Sequence, residues 1–156
     1  MAEMSAGDQT VRFDRDRTTA IYASLPHGFA EKCGGVFCRN FAAQRELVYP
    51  ASFRALLERL GIDPNKEGEA FEYGPVADGW HLYGGWFYLV GEMVTAGERN
   101  RTAPGAHHFE SFFTTTHPSD RAFRDGPMLA IEFTTRVKWV LAESADSGRH
   151  PAARPQ

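Results

Sequence analysis

Residues 81–94 read His-Leu-Tyr-Gly-Gly-Trp-Phe-Tyr-Leu-Val-Gly-Glu-Met-Val, the first of three long segments on which the predicted fold rests. Its side chains alternate in character, as they do in a β-strand that separates two environments. One face would carry Tyr83, Phe87, Leu89 and Met93, and the other Trp86, Tyr88, Val90 and Glu92. We therefore predict a long strand with one apolar face and one face that mixes aromatic rings with a carboxylate.

Two further stretches, residues 107–117 and 128–141, alternate in the same way. The second is the more amphipathic, with Glu132 and Arg136 opposed to a row of apolar side chains. Shorter strands are predicted near residues 71–75 and 36–41. The short connections favour antiparallel pairing, because a parallel crossover needs a dozen or more residues.

One helix is predicted at residues 52–60, where four apolar side chains recur at helical spacing and Gly61 suits the position just past the end. The four are Phe53, Leu56, Leu57 and Leu60. Residues 17–25 carry a weaker helical pattern. The predicted fold class is α+β, with an antiparallel sheet of about four to six strands packed against one or two helices. A small antiparallel β-barrel with a helix is the alternative, because glycines at positions 84, 85 and 91 could bend the strands.

The chain has 156 residues, which favours a single domain. We assign this domain to residues 11–143. Residues 1–10 and 144–156 are polar or rich in Pro, Arg and Ala, and are predicted to be flexible tails.

The charge pattern argues against nucleic acid as a partner, because the net charge is -3 and the basic residues form no run. No apolar stretch approaches the ~20 residues of a membrane-spanning helix, and the first residues lack the apolar core of a signal peptide. We therefore expect a cytoplasmic protein without a membrane partner. Nucleotide-binding and zinc-protease motifs are absent from the sequence, and it identifies no cofactor.

Cys33 and Cys38 offer three chemistries: a metal site, a reversible disulfide or one reactive thiol. Two cysteines in a reducing compartment are expected to be free thiols. Cys38 is the better nucleophile candidate, because the adjacent Arg39 would lower its pKa. The alternative is that Cys38, between Phe37 and Phe41, is a small buried apolar side chain.

A candidate site follows from the register that matches the apolar faces of the three long strands. It sets Glu92 opposite Glu110, Glu110 opposite Arg136, and Glu132 near Thr114. Adjacent carboxylates raise one pKa, so Glu92 and Glu110 are the candidate catalytic residues. The candidate ligand-binding residues are Arg136, Trp86, Tyr88 and Glu132. The alternative is a solvated charge ladder, because one face of an antiparallel sheet is commonly exposed.

The leading functional hypothesis is binding of a small polar or anionic molecule on this mixed aromatic and charged face, with acid/base catalysis if the protein is an enzyme. A thiol- or metal-dependent protein centred on Cys33 and Cys38 is the first alternative. The second is a non-catalytic homo-oligomeric interaction module that uses exposed aromatic side chains. Substrate, reaction and oligomeric state do not follow from the sequence.

Overall fold

The computed structural model describes residues 1–98, 109–115 and 120–148. Six strands and five α-helices are formed there, together with two short 3-10 helices, Arg121–Phe123 and Ala145–Gly148. The strands are β1 Ala2–Ala6, β2 Gln9–Phe13, β3 Glu69–Ala77, β4 Trp80–Thr95, β5 Phe109–Thr114 and β6 Met128–Lys138. The helices are α1 Arg15–Ser24, α2 Phe29–Cys33, α3 Val36–Ala43, α4 Arg45–Val48 and α5 Ala51–Leu60.

All strand pairings of the sheet are antiparallel, which confirms the predicted fold class. The strand order is β1-β2-β4-β6-β5, and β3 also pairs with β4. The 16-residue β4 therefore serves three partners, because β3 pairs with its first half and β2 with its second half, while β6 pairs along residues 80–90. The sheet is open, so the barrel alternative was wrong.

The apolar face of the sheet packs against the helices, and we call it the helix face. Helix α5 ends where predicted and begins one residue earlier, with Pro50 before it and Gly61 in the left-handed conformation after it (φ 81°). Leu57 and Leu60 are fully buried. Tyr49 and Phe53 complete an aromatic core with rings from the sheet, including Phe87, Phe109 and Phe133. We call the opposite side of the sheet the outer face.

Two predicted segments were wrong. The polar tail expected at residues 1–10 contains β1 and the first part of β2, because Met4 pairs with Val11 and both side chains are buried. Gly7 makes the connecting turn possible with a φ of 61°. The strand expected at residues 36–41 is helix α3, which buries Val36, Cys38, Asn40 and Phe41. The expected C-terminal tail includes the 3-10 helix Ala145–Gly148, and residues 149–156 lie outside the described residues.

The side chain of Gln9 connects β2 to β5, which are far apart in the strand order. Its Nε2 donates to the carbonyl of Phe113 at 2.8 Å, and its Oε1 accepts from the Phe113 amide at 2.8 Å. The sheet must therefore curve enough to bring β2 and β5 close to each other.

Candidate functional site

The outer face carries most residues of the predicted mixed site, in a register that differs from the predicted one. Strand β5 pairs with β6, and β6 rather than β5 is the neighbour of β4. Glu110 lies opposite Thr134, and Glu132 lies between Trp86 of β4 and Phe112 of β5. The expected pairs Glu110 with Arg136 and Glu132 with Thr114 are therefore displaced by two residues. The parity is as predicted, so these side chains share the outer face.

Two rows of side chains cross the strands here and bring the site residues together. The first row reads Glu69, Trp86, Glu132 and Phe112, and the second reads Phe71, Gly84, Thr134 and Glu110. Arg136 follows Thr134 by two residues on the same face, and its cross-strand partner is Leu82. Glu110 is thus a diagonal neighbour of Arg136, a relation that long side chains can bridge.

Glu92 does not belong to this group. It lies eight residues along β4 from the Glu110 row, roughly 26 Å at about 3.3 Å per residue. Its Oε1 accepts from Nη1 of Arg12 on β2 at 2.7 Å, and both side chains are more than 40% exposed. The predicted pair of Glu92 and Glu110 was wrong, because β2, of which only the first residues fell in the predicted tail, is the neighbour of this end of β4.

Aromatic rings cover part of the outer face beside the carboxylates. A Cβ at Gly84 would lie 2.8 Å from Cε2 of Tyr73 and 3.2 Å from Cζ of Phe71, so both rings approach the glycine backbone closely. Phe71 also makes an edge contact with Trp86, at 6.0 Å between ring centroids. Glycine at position 84 is therefore required for the close packing of these rings.

Tyr88 lies on the outer face, but another aromatic ring covers it, so that it is buried. Phe123, in the 3-10 helix Arg121–Phe123, packs on its ring at 5.6 Å, and Tyr22 packs on Phe123 from the other side at 5.6 Å. Burial raises the pKa of the Tyr88 hydroxyl, and a hydrogen bond with the Trp86 side chain opposes this rise. A cavity of about 50 Å³ beside Tyr88 is lined by polar groups that include Lys66 and Asp120.

The remaining candidate site residues are half-buried. Glu110, Glu132 and Trp86 are intermediate in exposure, and the same holds for Arg136. The Nε atom of Arg136 and the Nε1 atom of Trp86 have almost no contact with solvent. This part of the outer face thus differs from the solvated ladder at Arg12 and Glu92.

The two cysteines form a disulfide, with their Cα atoms 6.2 Å apart. The expected free thiols were therefore wrong, because the end of α2 and the start of α3 hold the sulfurs together across Gly34 and Gly35. Cys38 is buried, as expected if it is a small apolar side chain of the core, whereas Cys33 is exposed. In this state neither sulfur is the thiolate that metal ligation requires.

Sequence reasoning missed a second polar pair, on the helix face. Nδ1 of His81 lies 3.0 Å from Oε1 of Glu72, and the two side chains are 9% and 6% exposed. The ring of Trp139 packs beside His81 at 5.1 Å. The sequence could have indicated this pair, because the alternation in β4 places His81 on the same apolar face as Tyr83 and Phe87, where a polar side chain needs a partner.

No group of three or more His, Cys, Asp or Glu side chains that could hold a metal occurs within the described ranges. In the same part of the chain, no helix combines the length and hydropathy that crossing a membrane requires. Comparison with known proteins gives no family model, curated protein or solved structure that matches the chain.

Proposed function

We propose that the protein binds a small polar molecule on the outer face, beside Arg136, Glu110, Glu132 and Trp86. The observation that supports this most directly is that three adjacent strands bring these four side chains to one half-buried patch. Carboxylates and a guanidinium on one face offer charged hydrogen-bonding groups to a polar ligand, and the indole beside them offers an apolar surface. We call these four residues, with Glu69, the outer-face cluster.

The charges of the cluster restrict the chemistry of the ligand. Glu69, Glu110 and Glu132 contribute three carboxylates against the single guanidinium of Arg136. Carboxylates accept hydrogen bonds from amines and hydroxyls, and an indole attracts cations to its face. The balance favours a ligand with amino or several hydroxyl groups over the anionic ligand that the sequence left open.

Each residue has a distinct role in this proposal. The carboxylates of Glu110 and Glu132 would accept hydrogen bonds from the ligand, and Arg136 would orient an oxygen on it. Trp86 would supply the apolar surface on which the ligand lies. Adjacent carboxylates are also the groups that acid/base catalysis would use, with Glu110 and Glu132 in place of the predicted pair Glu92 and Glu110.

Titrations with defined probes, followed by NMR, test the proposal. The probes are choline, 1,4-diaminobutane, myo-inositol and citrate at constant ionic strength, and the signals are the indole N–H of Trp86 and the Nε–H of Arg136. We expect saturable shifts of both signals with an amine or the polyol. Glu132→Gln and Arg136→Lys should each weaken that binding by roughly tenfold or more, as the loss of a charge-assisted hydrogen bond does.

Arg12→Lys is the matched control, since Arg12 is an arginine on the outer face that pairs with Glu92 in an exposed position. It should leave probe binding unchanged. Equal losses in the control would show that the effect is not specific to the outer-face cluster. Shifts confined to the groove of about 510 Å³ between α1 and α5, near Tyr22 and Ile62, would contradict the proposed location.

The homo-oligomeric alternative is examined with the same samples. If the outer face is an interface between copies of the chain, the Trp86 and Arg136 signals should shift with protein concentration in the absence of any probe, and the shift of the Arg136 signal should disappear in a Trp86→Ala variant. A concentration-independent spectrum, together with saturable probe binding, supports the ligand site.

A further inference from the structure

The bond between Cys33 and Cys38 joins two chemically unequal positions. Cys33 is the last residue of α2 and is exposed, while Cys38 lies in the first turn of α3 and is 6% exposed. Only Gly34, Gly35, Val36 and Phe37 separate them. From this asymmetry we propose that the disulfide is a thiol–disulfide exchange site, attacked by an external dithiol at the Sγ of Cys33.

Access decides which sulfur is attacked. Exchange requires a thiolate to approach along the S–S axis, and attack depends on the exposure of the target sulfur. Approach to Cys38 is obstructed because its side chain belongs to the buried core. Approach to Cys33 is open, because Lys32 and Gly34 on either side of it are exposed as well.

The position of Cys38 makes it a suitable leaving group. It is the third residue of α3, and the residue before this helix, Gly35, supplies no side-chain cap to the first amide groups. The positive end of the helix dipole favours a thiolate at this position. Attack at Sγ of Cys33 expels Sγ of Cys38, because these two sulfurs share the bond that breaks.

The reaction balances with a dithiol as the co-reactant. One thiolate of the dithiol attacks Sγ of Cys33, the S–S bond breaks, and its electron pair leaves on Sγ of Cys38. The second thiol of the dithiol then loses its proton and attacks the dithiol's first sulfur, which is bonded to Cys33. This attack closes the disulfide of the dithiol and releases Cys33. The two cysteines are reduced and protonated to thiols, and the dithiol is oxidised to a disulfide.

The fold has the contacts to survive this reduction. Helix α3 is held by Phe41, which is fully buried, and by Asn40. The side chain of Asn40 donates to the carbonyl of Lys138 at 3.1 Å and accepts from the amide of Val140 at 2.9 Å. These contacts do not involve either sulfur, so the disulfide can open without release of the helix.

Trapping with glutathione and dithiothreitol in the native protein tests the proposal. With reduced glutathione, we expect a mixed disulfide that peptide mapping assigns to Cys33. With dithiothreitol, the reduction rate should rise linearly with its concentration, and far-UV circular dichroism should stay unchanged. Oxidised glutathione should then restore the bond in the folded chain.

Single-cysteine variants separate access from folding. Cys38→Ser leaves the exposed thiol and should react with an aromatic disulfide reagent at least about tenfold faster than Cys33→Ser, which leaves the buried one. The proposal is overturned if the glutathione adduct maps to Cys38, if the two variants react equally fast while folded, or if reduction occurs only as the chain unfolds.

Discussion

Two regions of the molecule have the same charged composition, one arginine between two glutamates, in opposite environments. Arg12 on the outer face contacts Glu3 and Glu92, and its side chain is 44% exposed. Arg45 in α4 contacts Glu31 and Glu67, where its own side chain is 9% exposed and that of Glu67 is fully buried. Burial and hydrogen-bond geometry, rather than residue type, should therefore decide how much each ion triad contributes to the stability of the protein.

The buried triad has more hydrogen bonds than the exposed one. Arg45 donates to both oxygens of Glu31 at 2.6 and 3.0 Å and to both oxygens of Glu67 at 3.1 and 2.8 Å. Glu67 also accepts from the amide of Ala30 at 2.9 Å, which satisfies the start of α2. A Cβ at Gly28 would lie 2.9 Å from Oε1 of Glu67, so glycine is needed for this approach. The triad therefore fixes α2 and α4 to the segment before β3.

Burial and pairing act on the pKa values in opposite directions. Burial raises the pKa of Glu67, although the hydrogen bonds from Arg45 oppose the rise. Hydrogen bonding from Arg45 lowers the pKa of Glu31, the more exposed partner. For Arg45 itself, burial lowers the pKa, but the hydrogen bonds to both glutamates outweigh it and hold the pKa above its usual value.

The largest expected effect comes from Arg45→Met. It leaves the carboxylate of Glu67 buried without its cation, and such a loss typically costs about 3–5 kcal/mol of unfolding free energy. Urea unfolding of the two proteins measures it. Combining this substitution with Glu67→Gln should recover part of the loss, because the double variant buries no charge. A double variant less stable than the single one would show that the triad is not electrostatically coupled.

Glu67→Gln alone should have the next largest effect, about 1–3 kcal/mol, because an amide N–H₂ group would face the donors of Arg45. The free energy from urea unfolding measures this loss. Glu92→Gln is the control in the exposed triad. If both substitutions cost the same, the difference between the two regions would be disproved.

The pH dependence of Glu31 gives a smaller effect. Its folded pKa lies below the usual value of about 4.5, so its ionised form stabilises the protein above that pH, and the stabilisation is lost as pH falls through the folded pKa. Wild type should exceed Glu31→Gln in stability by at most about 1 kcal/mol near pH 7, because Glu31 is partly exposed. The gap, measured by unfolding at several pH values, should close below about pH 4.5; a gap that widens would contradict the sign.

Arg12→Ala should have the smallest effect, roughly 0–1 kcal/mol, because exposed ion pairs are weak and screened by salt. Thermal unfolding at low and at high salt measures it, and the effect should shrink at high salt. A loss comparable to that of Arg45→Met would mean that exposure does not separate the two triads.

The alternation of the strands predicted which side chains share a face of the sheet, but not which strands lie side by side. The alternation in β4 and β6 placed Trp86, Glu132 and Arg136 on one face, because a period of two fixes parity whatever the register. It contains no information on whether β5 or β6 lies beside β4, since both have compatible apolar faces. The misplacement of Glu92 followed from this and from the overlooked pairing of Arg12 with Glu92.

The helices differed in how well their local sequence predicted them. Helix α5 was predictable because its apolar spacing, Pro50 and Gly61 all indicate the same element. Helix α3 was missed because residues 36–41 form a short apolar run, and such runs fit a strand as well as a buried helix. The buried triad was missed because Glu31, Arg45 and Glu67 are distant in sequence and meet only in the folded chain.

The double hydrogen bond of Gln9 has a consequence for association. A sheet edge with free amide and carbonyl groups can template the addition of a foreign strand, which begins many aggregates. The carboxamide of Gln9 bonds to both the amide and the carbonyl of Phe113, as the backbone of a neighbouring strand would. At Phe113 the edge strand β5 therefore has no amide or carbonyl group left to pair with a strand of another molecule.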